Sequence, residues 1–151
     1  STAAAATILG FTAGMGVVGK IGFGYLADRF PAKYMLALSI AFQAVGVLLL
    51  MAARNTAMLW LFVIVFGLGM GGVVALRALL VGWLFGLASF GAIFGATDFV
   101  HCFGAAIGPF VAGWIYDVVG SYYWAFIMFI GANIVAALAI ILAQPPQLKS
   151  G

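Results

Sequence analysis

The sequence predicts an all-α integral membrane protein with five transmembrane helices, and three observations carry that expectation. Only nine of its 151 residues are charged, six Lys or Arg and three Asp, against 67% apolar residues and 21 glycines. A soluble domain carries about 25% charged residues, so this inventory cannot cover a water-facing surface. A disordered chain would need the opposite balance, low hydrophobicity with high charge. The charges are also spaced. Uncharged runs of 20, 22, 20 and 18 residues separate Lys33, Arg54, Arg77, Asp98 and Asp117, and a helix crossing about 30 Å of hydrocarbon needs about 20 apolar residues. Finally, no segment shows the apolar/polar alternation of a transmembrane β-strand.

The first helix is expected over residues 3–26. It is closed by the polar segment from Ala27 to Lys33, in which Pro31 blocks continuation. The second, 34–53, is uncharged and runs out at Arg54-Asn55-Thr56. The third, 57–76, ends at Arg77, and the fifth, 122–143, stops at Gln144-Pro145-Pro146. Residues 78–120 admit two readings. In one, Asp98 marks a turn between two short spans, for six helices in all. In the other, residues 78–89 form a surface segment and the fourth helix covers 90–116 with Asp98 inside it. Ala96-Thr97-Asp98-Phe99 offers no Gly or Pro at the centre of a turn, which favours five helices.

Orientation follows from the cationic residues of the loops. With five helices, Arg29, Lys33, Arg77 and Lys149 share one side and Arg54 lies on the other. This puts the 27–33 loop and the C-terminus in the cytoplasm of a protein of the plasma (inner) membrane. Tyr25, Tyr34 and Trp83 then fall near the inner interface, and Trp60, Trp114, Tyr116, Tyr122, Tyr123 and Trp124 near the outer one, where amphipathic rings settle. The net charge of +3 is accounted for by these loop charges, and no nucleic-acid partner is expected; the lipid bilayer is. Cys102 stands alone, so no internal disulfide or cysteine metal cluster is expected. Ser1 heads the chain and its first 19 residues lack the cationic region of a signal peptide. The reading is of a piece of a longer protein.

Gly14-Met15-Gly16-Val17-Val18-Gly19 matches the G-x-G-x-x-G dinucleotide fingerprint, but that fingerprint works only between a strand and a helix of a soluble unit. Inside an apolar span, small residues four apart let helix backbones approach closely. Gly67/Gly71, Gly91/Gly95 and Gly104/Gly108 have that spacing and are expected to be packing faces. No Ser/His/Asp triad, pair of catalytic acids or metal-ligand cluster is visible, so no catalytic residue, metal or cofactor is expected, and the protein is not read as an enzyme.

The segment Gly24-Tyr25-Leu26-Ala27-Asp28-Arg29-Phe30-Pro31-Ala32-Lys33 resembles the G-x-x-x-D-R/K-x-G-R/K-R/K loop signature of the major facilitator superfamily. Gly24, Asp28, Arg29 and Lys33 match it, and Pro31 replaces the loop glycine. A second segment carries Gly104, Gly108-Pro109, Gly113, Asp117 and Gly120-Ser121-Tyr122. It resembles the end of the eleventh helix in the monocarboxylate and oxalate–formate branch, with Gly104, Gly108, Pro109 and Gly113 as a helix-packing motif. The family's segment between helices ten and eleven usually carries charges, whereas Val81 to Phe90 has none. The resemblance implies helices eight to twelve of a twelve-helix fold, a partial C-terminal six-helix bundle, whose partner is the missing N-terminal half. It implies a secondary transporter working by alternating access and moving a small organic anion such as a monocarboxylate, with a proton or by exchange. The competing reading is a self-contained small membrane subunit with an anchoring or assembly role.

Three ionisable residues fall inside the expected spans: Lys20, Asp98 and His101. A charge at the bilayer centre costs about 2.5–3.5 kcal/mol on insertion scales, so such groups face a cavity, pair, or reach the interface. Lys20 either snorkels to the headgroups or, as the resemblance implies, meets the substrate carboxylate. It stands four residues before Gly24, where the branch often has an arginine. Asp98 and His101 are three apart, on one helix face. They are either a mutually satisfied pair or a proton-binding group that tunes coupling, since histidine changes charge near neutral pH. Asp28 ends a helix, where the macrodipole opposes a negative charge, and is expected to dock against the start of the fourth helix near Ser89.

Overall fold

The computed structural model describes residues 2–144. Pro145, Pro146 and Lys149, on which the expected C-terminal stop and part of the expected orientation rest, lie outside the described residues. Among those described there is no strand, and all regular structure is in five helices: α1 (Thr2–Ala27), α2 (Ala32–Met51), α3 (Thr56–Phe85), α4 (Phe90–Val119) and α5 (Tyr123–Leu142). All five are long and apolar enough to cross a membrane. The protein is an integral membrane protein of the expected all-α class.

Each boundary has a local cause. After α1 the amides of Arg29 and Phe30 both turn back to the Leu26 carbonyl, and Pro31 caps α2 with φ −55° and ψ 125°. Pro31 here occupies a position where its missing N–H is not needed. Asn55 is a full N-cap for α3, its side-chain oxygen accepting from the Met58 amide at 2.9 Å. Gly86 (φ 72°) ends α3 and Gly120 (φ 70°, left-handed) ends α4, conformations that side chains with a Cβ rarely adopt.

One boundary departs from the expected pattern. Residues 78–85, expected as part of a surface segment, continue α3. Ala78 to Phe85 contains neither a charge nor a proline to stop the helix, and Leu80 and Val81 are buried. The chain turns only at Gly86, and Arg77 sits within α3 rather than at its end.

The helices run up and down through short connections, with α3 in the middle. It packs against α1 on one side and α2 on another, α5 packs on α2, and α4 touches only α3 and α5. The two main seams use different glycines. Towards α1, a Cβ on Gly71 would overlap the Gly16 carbonyl and come within 2.8 Å of the Lys20 amide, and one on Gly67 would lie 2.6 Å from Met15 Cβ. Towards α2, one on Gly72 would overlap Ser39 Oγ and one on Gly69 would lie 2.7 Å from the Ser39 carbonyl. Ser39, fully buried, donates from Oγ to the Gly69 carbonyl at 2.7 Å. Phe23, Leu36, Ile40, Leu76 and Leu80 then close the core where the three helices meet.

Gly67/Gly71 is thus a packing face. Gly91/Gly95 and Gly104/Gly108 are not packed among the described residues: a Cβ on any of the four, or on Gly113, meets nothing within 4 Å. Gly104, Gly108 and Pro109 instead border an apolar gap of about 700 Å³ between α4 and the other helices, lined opposite by Phe66, Phe126 and Phe129.

Gly71→Val is expected to lower the melting temperature of the purified protein in detergent far more than Ser39→Ala. The valine meets backbone that no rotamer change can move, and overpacking costs roughly 1–3 kcal/mol. Losing one interhelical hydrogen bond in a membrane costs about 0.6 kcal/mol. Equal shifts for the two variants, followed by thermal unfolding, would count against the glycine seam.

Candidate functional site

Among the described residues, four charged or imidazole side chains lie well inside the helices rather than three: Lys20 on α1, Arg77 on α3, and Asp98 and His101 on α4. Arg77 is eight residues before Phe85 and Asp98 eight after Phe90, so each is about 12 Å from its helix end at 1.5 Å per residue. Lys20, seven residues before Ala27, is about 10 Å from its own. Because α1 and α3 run parallel and α4 starts where α3 ends, these three ends are on the same side of the bundle. Arg77 and Asp98 therefore sit at similar depth, whereas Lys20, whose amide lies beside Gly71, is six residues of α3, about 9 Å, further into the bundle than Arg77.

Arg77 and Asp98 form an ion pair between α3 and α4, Nη2 to Oδ1 at 2.5 Å. The Arg77 side chain is 19% exposed and that of Asp98 43%. The guanidinium carbon is also 5.7 Å from the Phe94 ring centroid, within cation–π range. Nε and Nη1 of Arg77 are buried without a hydrogen-bond partner among the described residues. The sequence offered His101 as the partner of Asp98. In the fold, however, no hydrogen bond joins the two among the described residues, and His101 is exposed one turn further along α4. The carboxylate is taken by Arg77 because a full positive charge with five donors in a hydrocarbon span needs an anion more than an imidazole does. Lys20 is exposed and has neither ion pair nor hydrogen bond among the described residues.

The signature loop is built differently from expectation. Asp28 is exposed, and α1 and α4 are not in contact, so it does not dock at Ser89. The cations pair with rings instead. Arg29 donates to the Tyr25 hydroxyl and lies 4.7 Å from that ring's centroid. The Lys33 ammonium is 5.1 Å from the Tyr34 ring centroid and 6.0 Å from that of Trp83 on the last turn of α3. Gly24 is open on the side a Cβ would take. Among the described residues no three His, Cys, Asp or Glu side chains come close enough together to hold a metal ion.

The residue missed from sequence was Arg77. The 22 uncharged residues between Arg54 and Arg77 have the length of a complete span, so Arg77 reads as a loop charge. The signal that could have found it is the absence of any turn residue between Arg77 and Gly82.

Comparison with known proteins bears on the whole arrangement. Monocarboxylate transporter 12 of Rattus norvegicus is 30% identical over 118 residues, 74% of this chain and 24% of that protein. Monocarboxylate transporter 2 of Homo sapiens is 32% identical over 113 residues, 75% of this chain and 23% of that protein. Monocarboxylate transporter 12 of Xenopus laevis is 28% identical over 116 residues, 74% and 25%. The chain spans about a quarter of the length of these relatives. The family model described as Major Facilitator Superfamily matches residues 1–151, and with five membrane-length helices in an up-and-down bundle, the chain belongs to that superfamily.

Proposed function

We propose that the chain forms helices eight to twelve of a secondary transporter that carries a small organic anion of the monocarboxylate class by alternating access, with a proton or by exchange. The observation that carries this reading is Lys20, a cation within a span that no described residue neutralises, in a chain whose relatives are named for monocarboxylates. A lone ammonium in hydrocarbon is costly, and a substrate carboxylate supplies the missing charge. A lysine keeps that charge without the bidentate fork of an arginine. The family match over the whole chain favours this reading over a self-contained anchoring subunit. In this scheme an N-terminal half completes the pathway, and Asp98 and His101 tune coupling on α4. Asp28, Arg29, Lys33 and Gly24 form the loop that shifts between states, and the protein sits in the plasma (inner) membrane.

In proteoliposomes of the full-length transporter, Lys20→Gln is expected to reduce pyruvate uptake at least tenfold, and Lys20→Arg to retain a measurable part. Removing one partner of a desolvated pair leaves the other charge uncompensated, at a cost of about 3–5 kcal/mol. Normal uptake by Lys20→Gln would mean that the lysine only snorkels to the headgroups. His101→Gln should leave pyruvate binding intact while flattening the pH dependence of uptake. Its charged neighbour on α4 is Asp98, already held by Arg77. An unchanged pH profile would remove His101 from coupling. In a Cys102→Ala background, an impermeant thiol reagent applied to intact cells should label Asn55→Cys and spare Ala32→Cys. The reverse pattern would invert the proposed orientation.

A further inference from the structure

The ion pair between α3 and α4 is incompletely made. Asp98 engages Arg77 end-on, through Nη2 alone, while Nε and Nη1 are buried with no hydrogen-bond partner among the described residues. A guanidinium presents five donors in a rigid fork shaped for a carboxylate, so most of this fork's capacity is unused. The carboxylate side of the pair is open, with Asp98 43% exposed against 19% for Arg77. An open carboxylate about 12 Å inside a membrane helix does not face lipid tails, because charged groups in spans turn to water-filled cavities or to protein. The arrangement is a largely buried cation held through one nitrogen by an intramolecular anion that is itself half open. Phe94 flanks the guanidinium plane and helps fix its orientation.

We infer that Arg77 is an anion-binding residue whose site Asp98 occupies in the absence of ligand. A small carboxylate displaces Asp98 from the guanidinium and takes up donors that the end-on pair leaves idle. This rests on the reading of the protein as a carrier of small organic anions and adds to it a second cation, on α3 rather than α1, together with a built-in competitor. Lys20 and Arg77 lie on adjacent parallel helices, with the Lys20 amide beside Gly71, about 9 Å further into the bundle than Arg77, so the two cations are offset along the helix axes.

The test is carboxylate rescue in the purified full-length protein, with pyruvate as probe and its neutral amide, pyruvamide, as control. Asp98→Asn leaves Arg77 uncompensated and is expected to lower the melting temperature. Pyruvate, and not pyruvamide, should restore it, and the pyruvate Kd should be at least tenfold tighter than in the wild type because the competitor is gone. The double variant Arg77→Gln/Asp98→Asn should lose that rescue. Rescue by both compounds alike, or rescue that persists in the double variant, overturns the proposal, since a purely structural pair gives no carboxylate-specific response. Arg77→Lys keeps a charge opposite Asp98 but not the fork, and it serves if Asp98→Asn does not fold. A pyruvate Kd at least tenfold weaker supports the proposal and an unchanged Kd overturns it. Its failure is separable from that of the transporter reading. Loss of uptake in Lys20→Gln with no rescue of Asp98→Asn removes Arg77 from the site and leaves the transporter. Carboxylate-specific rescue beside normal uptake in Lys20→Gln keeps the Arg77 site and removes the role given to Lys20.

Discussion

The bundle depends on how closely α3 can bring its backbone to two neighbours at once. Between membrane helices there is no hydrophobic drive, because lipid tails are as apolar as the side chains they replace, so association rests on close packing and polar contacts. Gly67 and Gly71 admit α1, and Gly69 and Gly72 admit α2. At 3.6 residues per turn, Gly69 and Gly71 point to nearly opposite sides, so the two pairs interleave along one stretch without competing. That interleaving makes α3 central and leaves α1 and α2 on its two flanks. It also leaves a third side of α3 free, and there, roughly a quarter to a third of a turn from either seam, sits Arg77.

The spans were legible because composition and charge spacing respond to the membrane directly. An uncharged run of about twenty residues matches the thickness of the hydrocarbon core, a length that a water-facing helix has no reason to keep free of charge. Pro31 and Asn55 are local punctuation that does not depend on the rest of the fold. The glycine seam was half legible. The four-residue spacing of Gly67/Gly71 is a packing signal, but Gly91/Gly95 and Gly104/Gly108 have the same spacing without a packed partner among the described residues. Spacing says that a face can accept a neighbour, not which neighbour arrives. The three-residue offset of Gly69 and Gly72 falls outside that pattern, and Ser39, which marks where they pack, has no sequence signature of its own.

The ionisable groups divide along the same line. That Lys20 and Asp98 lie within spans follows from counting residues. That Asp98 pairs with Arg77 rather than with His101 depends on α3 continuing past Arg77 to Phe85, which brings a cation down beside the first turns of α4. Local rules favour His101 because it is three residues away on the same helix. A contact between residues 21 apart needs the antiparallel hairpin of α3 and α4 to be known first. The error at one helix end therefore became an error in the site.

The attachment of α4 follows from the same physics. Its small-residue face, with Gly104, Gly108 and Pro109, stands across an apolar gap from Phe66, Phe126 and Phe129, and its contacts with α3 lie at the end holding the ion pair, where Phe90 approaches Gly82. An apolar helix face in a bilayer loses little by parting from its neighbour, since lipid or another apolar helix takes the place of the lost contacts. A charge pair behaves differently, because separating it leaves two ions in a medium that solvates neither. The strongest local constraint on the position of α4 relative to α3 is then a single polar contact rather than an apolar seam. Any group that competes for Arg77 or for Asp98 changes that constraint directly, while the glycine-packed unit of α1, α2 and α3 is held by contacts that such a group does not touch.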